Sequence, residues 1–398
     1  MLQGAEQLAP WLRSAGPVKS AIPVSLSAWE TFAQHVSGAG LSGLLLEQAR
    51  ECGVDLPVDI GGRLREQAMK VAADNMNSAV ELEKLLRGFN KDGVPVILLK
   101  GAALDRITYP RPDLRPMSDV DLLIKPETVG DSLRLLEELG CRRIADPVRD
   151  DFFPKYCCEV QYVTRSPRPL RIDLHARPFH PLRFARTIPD DGFWDDAREV
   201  TVGKSRALVL RPELMLVHLA GHAAFHGCSR LIWLYDMKRF VETLSDPLDW
   251  DLVTQTCRRW RLSLAVGEAL RCAGNMLDPV CPPEVIEELA SHHIDWRDRL
   301  TLSCAPGFGG SAVGHAAVSL LCTPGIGFRL GYVLAMLSPG HKHLADVYPF
   351  RHFGWVVCAH IWRAVRALGR TAWAPLGAVL SLRKNKVTPA LDLQEVLH

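Results

Sequence analysis

Two short apolar runs, residues 94–99 and 120–124, frame the stretch VPVILLKGAALDRITYPRPDLRPMSDVDLLIKP. Each ends or begins on polar residues that a plain core strand would not choose. The first stops at Lys100-Gly101, and the second carries Asp119 and Asp121, spaced by Val120. Successive side chains of a strand point to opposite faces. The two carboxylates therefore project together, while Val120 and Leu122 face the other way. Carboxylates that close repel and raise one another's pKa, and a divalent cation between them removes that cost. Hard oxygen donors of this kind suit Mg²⁺ or Mn²⁺, which also bind substrate phosphates.

A third carboxylate stands in a similar setting. Asp173 lies inside the strand-like run PLRIDLHA, followed by His175. If that strand neighbours SDVDLLI, Asp119, Asp121 and Asp173 converge, and three such groups can hold two metal ions across a phosphoryl transfer. Gly101 follows a strand and opens a helix, so backbone can approach a phosphate and helix N–H groups can point at it. Lys100 can reach a phosphate as a point charge, and Arg106, Arg111 and Arg115 lie between the turn and the carboxylates.

The rest of the chain organises around this stretch. Residues up to about 90 read as helical: Leu82, Leu85, Leu86 and Phe89 make the i, i+3, i+4, i+7 stripe of an amphipathic helix, and Gly93 stops it. VPVILL and SDVDLLI are strands, with a short helical stretch between them. Pro126 opens a helix with Val129, Leu133 and Leu136 on one face, ended by Gly140. CCEVQYVTR and PLRIDLHA read as a hairpin joined near Ser166-Pro167, and RALVL as a further strand. From Pro212 the pattern is helical. The fold class is α+β: a small mixed-sheet core, N-terminal helices and a large helical C-terminal part. The expected division is 1–90 helical, 91–210 catalytic core, 211–324 helical and closing the cleft, and 325–398 a helical basic extension. Residues 341–398 hold eight Lys/Arg against three Asp/Glu, a basic face favoured as that of a packed helical extension over one lying against an anionic membrane surface or a nucleic acid.

In this order, strand, glycine turn, helix, D-x-D strand and later Asp strand resemble the DNA-polymerase-β-like nucleotidyltransferase superfamily. The wording LLKGAAL…RPMSDVDLLI…IDLHARP…HLAGHAAFHG…LIWLYDMKRFV is similar to its uncharacterised bacterial "nucleotidyltransferase family" branch. The resemblance implies that Asp119, Asp121 and Asp173 are the catalytic, Mg²⁺-binding (or Mn²⁺-binding) residues. It implies nucleotide contacts from Lys100, Gly101, Ala102, Arg115 and Ser118. It implies an NTP substrate and, because relatives stand beside biosynthetic genes, a partner in such a gene cluster. The acceptor stays open among peptide, small molecule and RNA. Many members carry serine after the turn glycine where this chain has Ala102, which shifts phosphate contact toward Lys100. The competing reading is a nucleotide-binding or scaffold protein that keeps the fold without catalysis.

HLAGHAAFHG places His218, His222 and His226 at i, i+4, i+8, on one helix face. With Asp236 the row suggests a metallohydrolase, but no H-E-x-x-H glutamate or cysteine set accompanies it. The favoured reading is a polar face that, with His175, lines the acceptor pocket. Bulk properties exclude other classes. A net charge of +2 over 398 residues gives no strong nucleic-acid signal, and 47% hydrophobic with 23% charged residues is ordinary for a globular protein. Eleven scattered cysteines show neither zinc-ribbon spacing nor disulfide-scaffold density. The N-terminus lacks signal-peptide regions, and the uncharged run at 300–328 has an apolar heart of only eleven residues. The expectation is a cytoplasmic protein without a transmembrane segment.

Overall fold

The structure is a computed structural model that describes residues 5–14, 16, 22–144, 152–303, 318 and 320–337. Most of the expected extension at 325–398 lies outside them. Four helices come first: α1 Ala5–Leu8, α2 Leu26–Ala39, α3 Ser42–Glu51 and α4 Val58–Lys91. Ser25 caps α2 by accepting the Ala28 N–H, and Gly40 ends it in the left-handed region. Trp29 packs edge to face on both Trp11 and Phe32 among these helices. The anticipated stripe Leu82, Leu85, Leu86 and Phe89 is buried along α4. Burying each such side chain contributes about 2 kcal/mol.

Next comes a seven-stranded mixed sheet: β1 Ile97–Leu98, β2 Val120–Leu123, β3 Arg142–Arg143, β4 Glu159–Val163, β5 Arg171–His175, β6 Arg198–Val202 and β7 Ser205–Val209. The strand order is β3-β4-β5-β2-β1-β7-β6. β2 runs parallel to β5 and β1 parallel to β7, while the remaining pairs are antiparallel. Between β1 and β2 lies α5 Lys100–Ile107, and after β2 a 3₁₀ turn leads into α6 Val129–Glu138. The β4–β5 hairpin and the β7 strand match the sequence expectation. β3 and β6 were not anticipated, and both are edge strands. RR and REVTV face solvent in large part and carry little of the apolar signal by which a strand is read.

A short helix, α7 Phe152–Lys155, precedes β4, and another, α8 Phe184–Thr187, follows β5. The chain then becomes helical as expected: α9 Pro212–Phe225, α10 Leu231–Glu242, α11 Trp250–Trp260, α12 Ser263–Met276, α13 Pro283–Ser291 and α14 Trp296–Ser303. α9 is apolar nearly all round and nearly wholly buried, the signature of a central helix. Two buried ion pairs tie this half to the sheet half. Arg183 meets Asp298 of α14 at 2.7 Å. Arg115, from the loop before β2, meets Asp236 of α10 at 2.8 Å, and Tyr109 donates to the same carboxylate at 2.8 Å. No helix of the described residues is long and apolar enough to cross a membrane.

Candidate functional site

The site grows from strand register. Asp121 of β2 pairs with Asp173 of β5, which pairs with Gln161 of β4. One step on in the same direction of alternation, Leu123, His175 and Glu159 form the next row. Because side chains two apart share a face, Asp121, Asp173, His175 and Glu159 all stand on one side of the sheet. Val120, Leu122, Ile172, Leu174, Val160 and Tyr162 fill the core on the other side. Asp119 precedes the first residue of β2 and accepts from the Ser118 hydroxyl at 3.2 Å. Asp121 and Asp173 are thus neighbours in register, and Asp119 lies near enough for its charge to act on Asp173.

Charge is concentrated and mostly paired. Lys100 Nζ lies 2.6 Å and His175 Nε2 2.9 Å from Asp121 Oδ1. Burial alone would raise the Asp121 carboxyl, but Lys100 and His175 outweigh it and hold the group well below the usual range. Burial would likewise discharge His175, yet the Asp121 contact and Cys158 raise it to about 9. Asp173 differs. Its Oδ1 is buried without a hydrogen-bond partner. Burial, then the charges of Glu159, Asp121 and Asp119, push it up to about 6. A buried carboxylate oxygen with no donor, surrounded by like charge, is a group that a hard divalent cation would satisfy. Asp173 Oδ1 is therefore the donor here that would suit Mg²⁺ or Mn²⁺, with Asp121 beside it in register. Among the described residues the ligand atoms of Asp119, Asp121 and Asp173 do not already form a gathered metal cluster.

The turn beside the aspartates has its own constraints. Lys100 sits at φ 45°, a left-handed conformation rare for a side-chain-bearing residue. Gly101 is required by close approach: a Cβ there would come within 2.5 Å of Arg115 Nη1. No side chain caps the start of α5, so its first-turn N–H groups are free to meet an anion. Ala102 is buried within this first turn and Ser118 is exposed at the mouth. Arg115 is spent otherwise than on a ligand. Its guanidinium grips both oxygens of Asp236, at 2.9 and 2.8 Å, so it braces the turn from behind. Asn75 of α4 holds the same loop, donating to the Pro112 and Arg115 carbonyls and accepting from the Met117 N–H.

The histidine row divides. His218 is fully buried against Phe179 and Phe193, with neither ring nitrogen hydrogen-bonded, and burial first, then nearby Lys100, lowers it to about 3. It is a neutral core residue. His222 and His226 stack on each other and on Trp233, and His226 lies 6.2 Å, centroid to centroid, from His180. Burial and the Lys100 charge keep both neutral, His226 at about 4. Asp236 belongs to Arg115 and Tyr109 rather than to the row. Among the described residues, the row gathers no metal-binding cluster.

Three participants escape a reading of the sequence alone. Glu159 contacts His175 and His180 at 3.4 and 3.3 Å. The signal was available: it is the acidic residue of the strand that hairpins with the Asp173 strand. Asp236 as the anchor of Arg115, and Asn75 as the clamp of the loop, depend on long-range packing that no local pattern reveals.

The chain belongs to a family described as uncharacterised nucleotidyltransferase, which it matches over residues 25–278, more than half of its length. Among solved structures it is similar to an antigenic nucleotidyltransferase-like protein from Paracoccidioides brasiliensis. That likeness has 14% identity and a TM-score of 0.35, covering 56% of this chain and 96% of that one. No curated protein matches. The strand–turn–helix, the paired aspartates and the third aspartate all fall inside the matched segment.

Proposed function

We propose that the protein is a Mg²⁺-dependent nucleotidyltransferase that moves a nucleoside monophosphate from an NTP to an acceptor and releases pyrophosphate. The observation that carries this reading is the register pair Asp121–Asp173 on adjacent parallel strands, with Asp173 Oδ1 buried and unpartnered. Asp119 and Asp121 would hold the cation, with Asp173 completing the set. Mg²⁺ (or Mn²⁺) bound there supplies charge neutralisation to the triphosphate and to the developing negative charge.

The chain's own residues do the positioning. The first-turn N–H groups at Gly101 and Ala102 receive phosphate oxygens. Lys100 keeps Asp121 ionised and carries positive charge toward the phosphates. Arg115, through Asp236, fixes the turn against which these contacts form. Asp173, drawn to about 6, is ionised at neutral pH yet basic enough to accept the proton of an acceptor hydroxyl. Catalysis of this kind rests on orientation and charge more than on covalent chemistry. His222 and His226, neutral and grouped with Trp233, offer hydrogen bonds and a stacking face to the acceptor. An NTP-consuming enzyme of this composition belongs in the cytoplasm.

The test is incubation with each of four α-labelled NTPs, Mg²⁺ and cell extract. Transfer of label to a peptide, small molecule or RNA, lost in Asp173→Asn, supports the proposal. Mg²⁺-dependent NTP binding without any labelled product would instead support a non-catalytic scaffold.

A further inference from the structure

Beside the aspartates stands a second constellation, which shares Glu159 with them but whose thiol nucleotidyl transfer does not use. Cys158, just before β4, places its Sγ 3.1 Å from His180 Nδ1. The other nitrogen of the same ring, Nε2, lies 3.3 Å from Glu159 Oε2. Thiol, imidazole and carboxylate are thus in line, with the ring between the other two. Cys158, Glu159 and His180 also offer ligand atoms within 4.8 Å of one another, so a cation is the rival occupant. The hydrogen bonds favour a relay. The sulfur and the carboxylate address different nitrogens, and one imidazole coordinates through one nitrogen at a time. The arrangement as it stands is a relay, a thiol facing a base whose far side is oriented by a carboxylate.

We infer that Cys158, His180 and Glu159 form a nucleophilic thiol centre whose substrate class is an activated acyl group, an ester or thioester carbonyl. The neighbouring cysteine sharpens the case. Cys157 donates its thiol proton to the Glu159 carbonyl oxygen at 3.1 Å, and burial pushes it up to about 11. Burial would do the same to Cys158. The His180 charge and the contacts of His175 and His180 instead bring it down to about 7. Two adjacent thiols therefore have opposite chemistry, the less exposed one being the nucleophile. His180, with half of its side chain exposed (52%), opens the centre to solvent. Other ionisable groups also face the centre: Arg177 toward the two thiols, Tyr332 toward Cys157, His175 toward Cys158, Lys100 toward Glu159 and His226 toward His180.

The step balances within these groups. The Cys158 thiolate attacks the carbonyl carbon, an S–C bond forms and the ester C–O bond breaks. The departing oxygen takes the proton from His180. Water then gives a proton to neutral His180, cleaves the thioester as hydroxide, and restores thiolate and imidazolium.

The test treats the full chain at pH 7 with p-nitrophenyl acetate, following p-nitrophenol release and locating the acetyl group by peptide mass spectrometry. A burst of one equivalent with acetyl on Cys158 is expected, kept in Cys157→Ser and lost in Cys158→Ala. His180→Ala, at a half-exposed position, should slow the burst about tenfold, because fewer thiols are ionised. Iodoacetamide supplies a check free of any variant: Cys158 should be carboxymethylated faster than Cys157. Faster labelling of Cys157, a burst that survives Cys158→Ala, or stoichiometric zinc in the purified chain that Cys158→Ala removes would each overturn the inference.

Discussion

Replacing Asp173 by Asn should stabilise the folded protein while abolishing transfer. Asp173 Oδ1 has no hydrogen-bond partner to lose. The carboxyl is raised from 3.8 to about 6, first by burial and then by Glu159, Asp121 and Asp119. The native state therefore binds this proton more tightly than the unfolded chain does. Its stability is favoured below about pH 4 and declines as pH rises toward 6, as the carboxylate ionises among like charges. At 1.36 kcal/mol per unit the ceiling is about 3 kcal/mol, and solvent at the cleft reduces it to about 1–2 kcal/mol. The neutral amide does not incur that cost. Melting in the absence of divalent cations should show Asp173→Asn a few degrees above wild type at pH 7.5. The difference should shrink through pH 5 and vanish near pH 3.5. An Asn variant no more stable than wild type at pH 7.5, or equally shifted at every pH, would refute the crowded-carboxylate reasoning.

Other consequences follow from named contacts. Arg115→Met leaves the Asp236 carboxylate buried with only the Tyr109 hydroxyl, and should cost about 3–5 kcal/mol in urea unfolding; a loss below about 1 kcal/mol would mean the pair is not a brace. Gly101→Ala drives a methyl group into Arg115, held by Asp236, and should weaken NTP binding about tenfold in calorimetry without unfolding the chain. His222→Ala should impair acceptor use while leaving NTP affinity unchanged. Because burial keeps His222 neutral, no inflection in the rate between pH 6 and 8 should disappear with it.

Much of this arrangement was legible in the residues. Asp119, Asp121 and Asp173 were readable because an acidic residue inside an apolar strand is a local contradiction, and the chain contains few. Gly101 was readable as a strand-to-helix turn, although the reason only glycine fits there, the Arg115 guanidinium, is a contact across the fold. Arg115 itself was read as a phosphate ligand from its place in a basic cluster. Its partner lies 121 residues away, a distance over which sequence carries no pairing information. The histidine row was read as one helix face lining a pocket, but the helix ends at Phe225 and His226 is its cap. An α-helix buried on all sides has no open face, so His218 went to the aromatic core while His222 and His226 remained beside Trp233. The edge strands β3 and β6 escaped because half their surface is solvent.

The central claim is that the aspartates form a metal-dependent nucleotide site. Titrating NTP into the full chain by calorimetry, with Mg²⁺ and with a chelator, tests it most directly, with Asp119→Asn as the variant least involved in the buried ion pairs. Binding that requires Mg²⁺ and is lost in Asp119→Asn is the expected result. Equal NTP affinity with and without Mg²⁺ would contradict it.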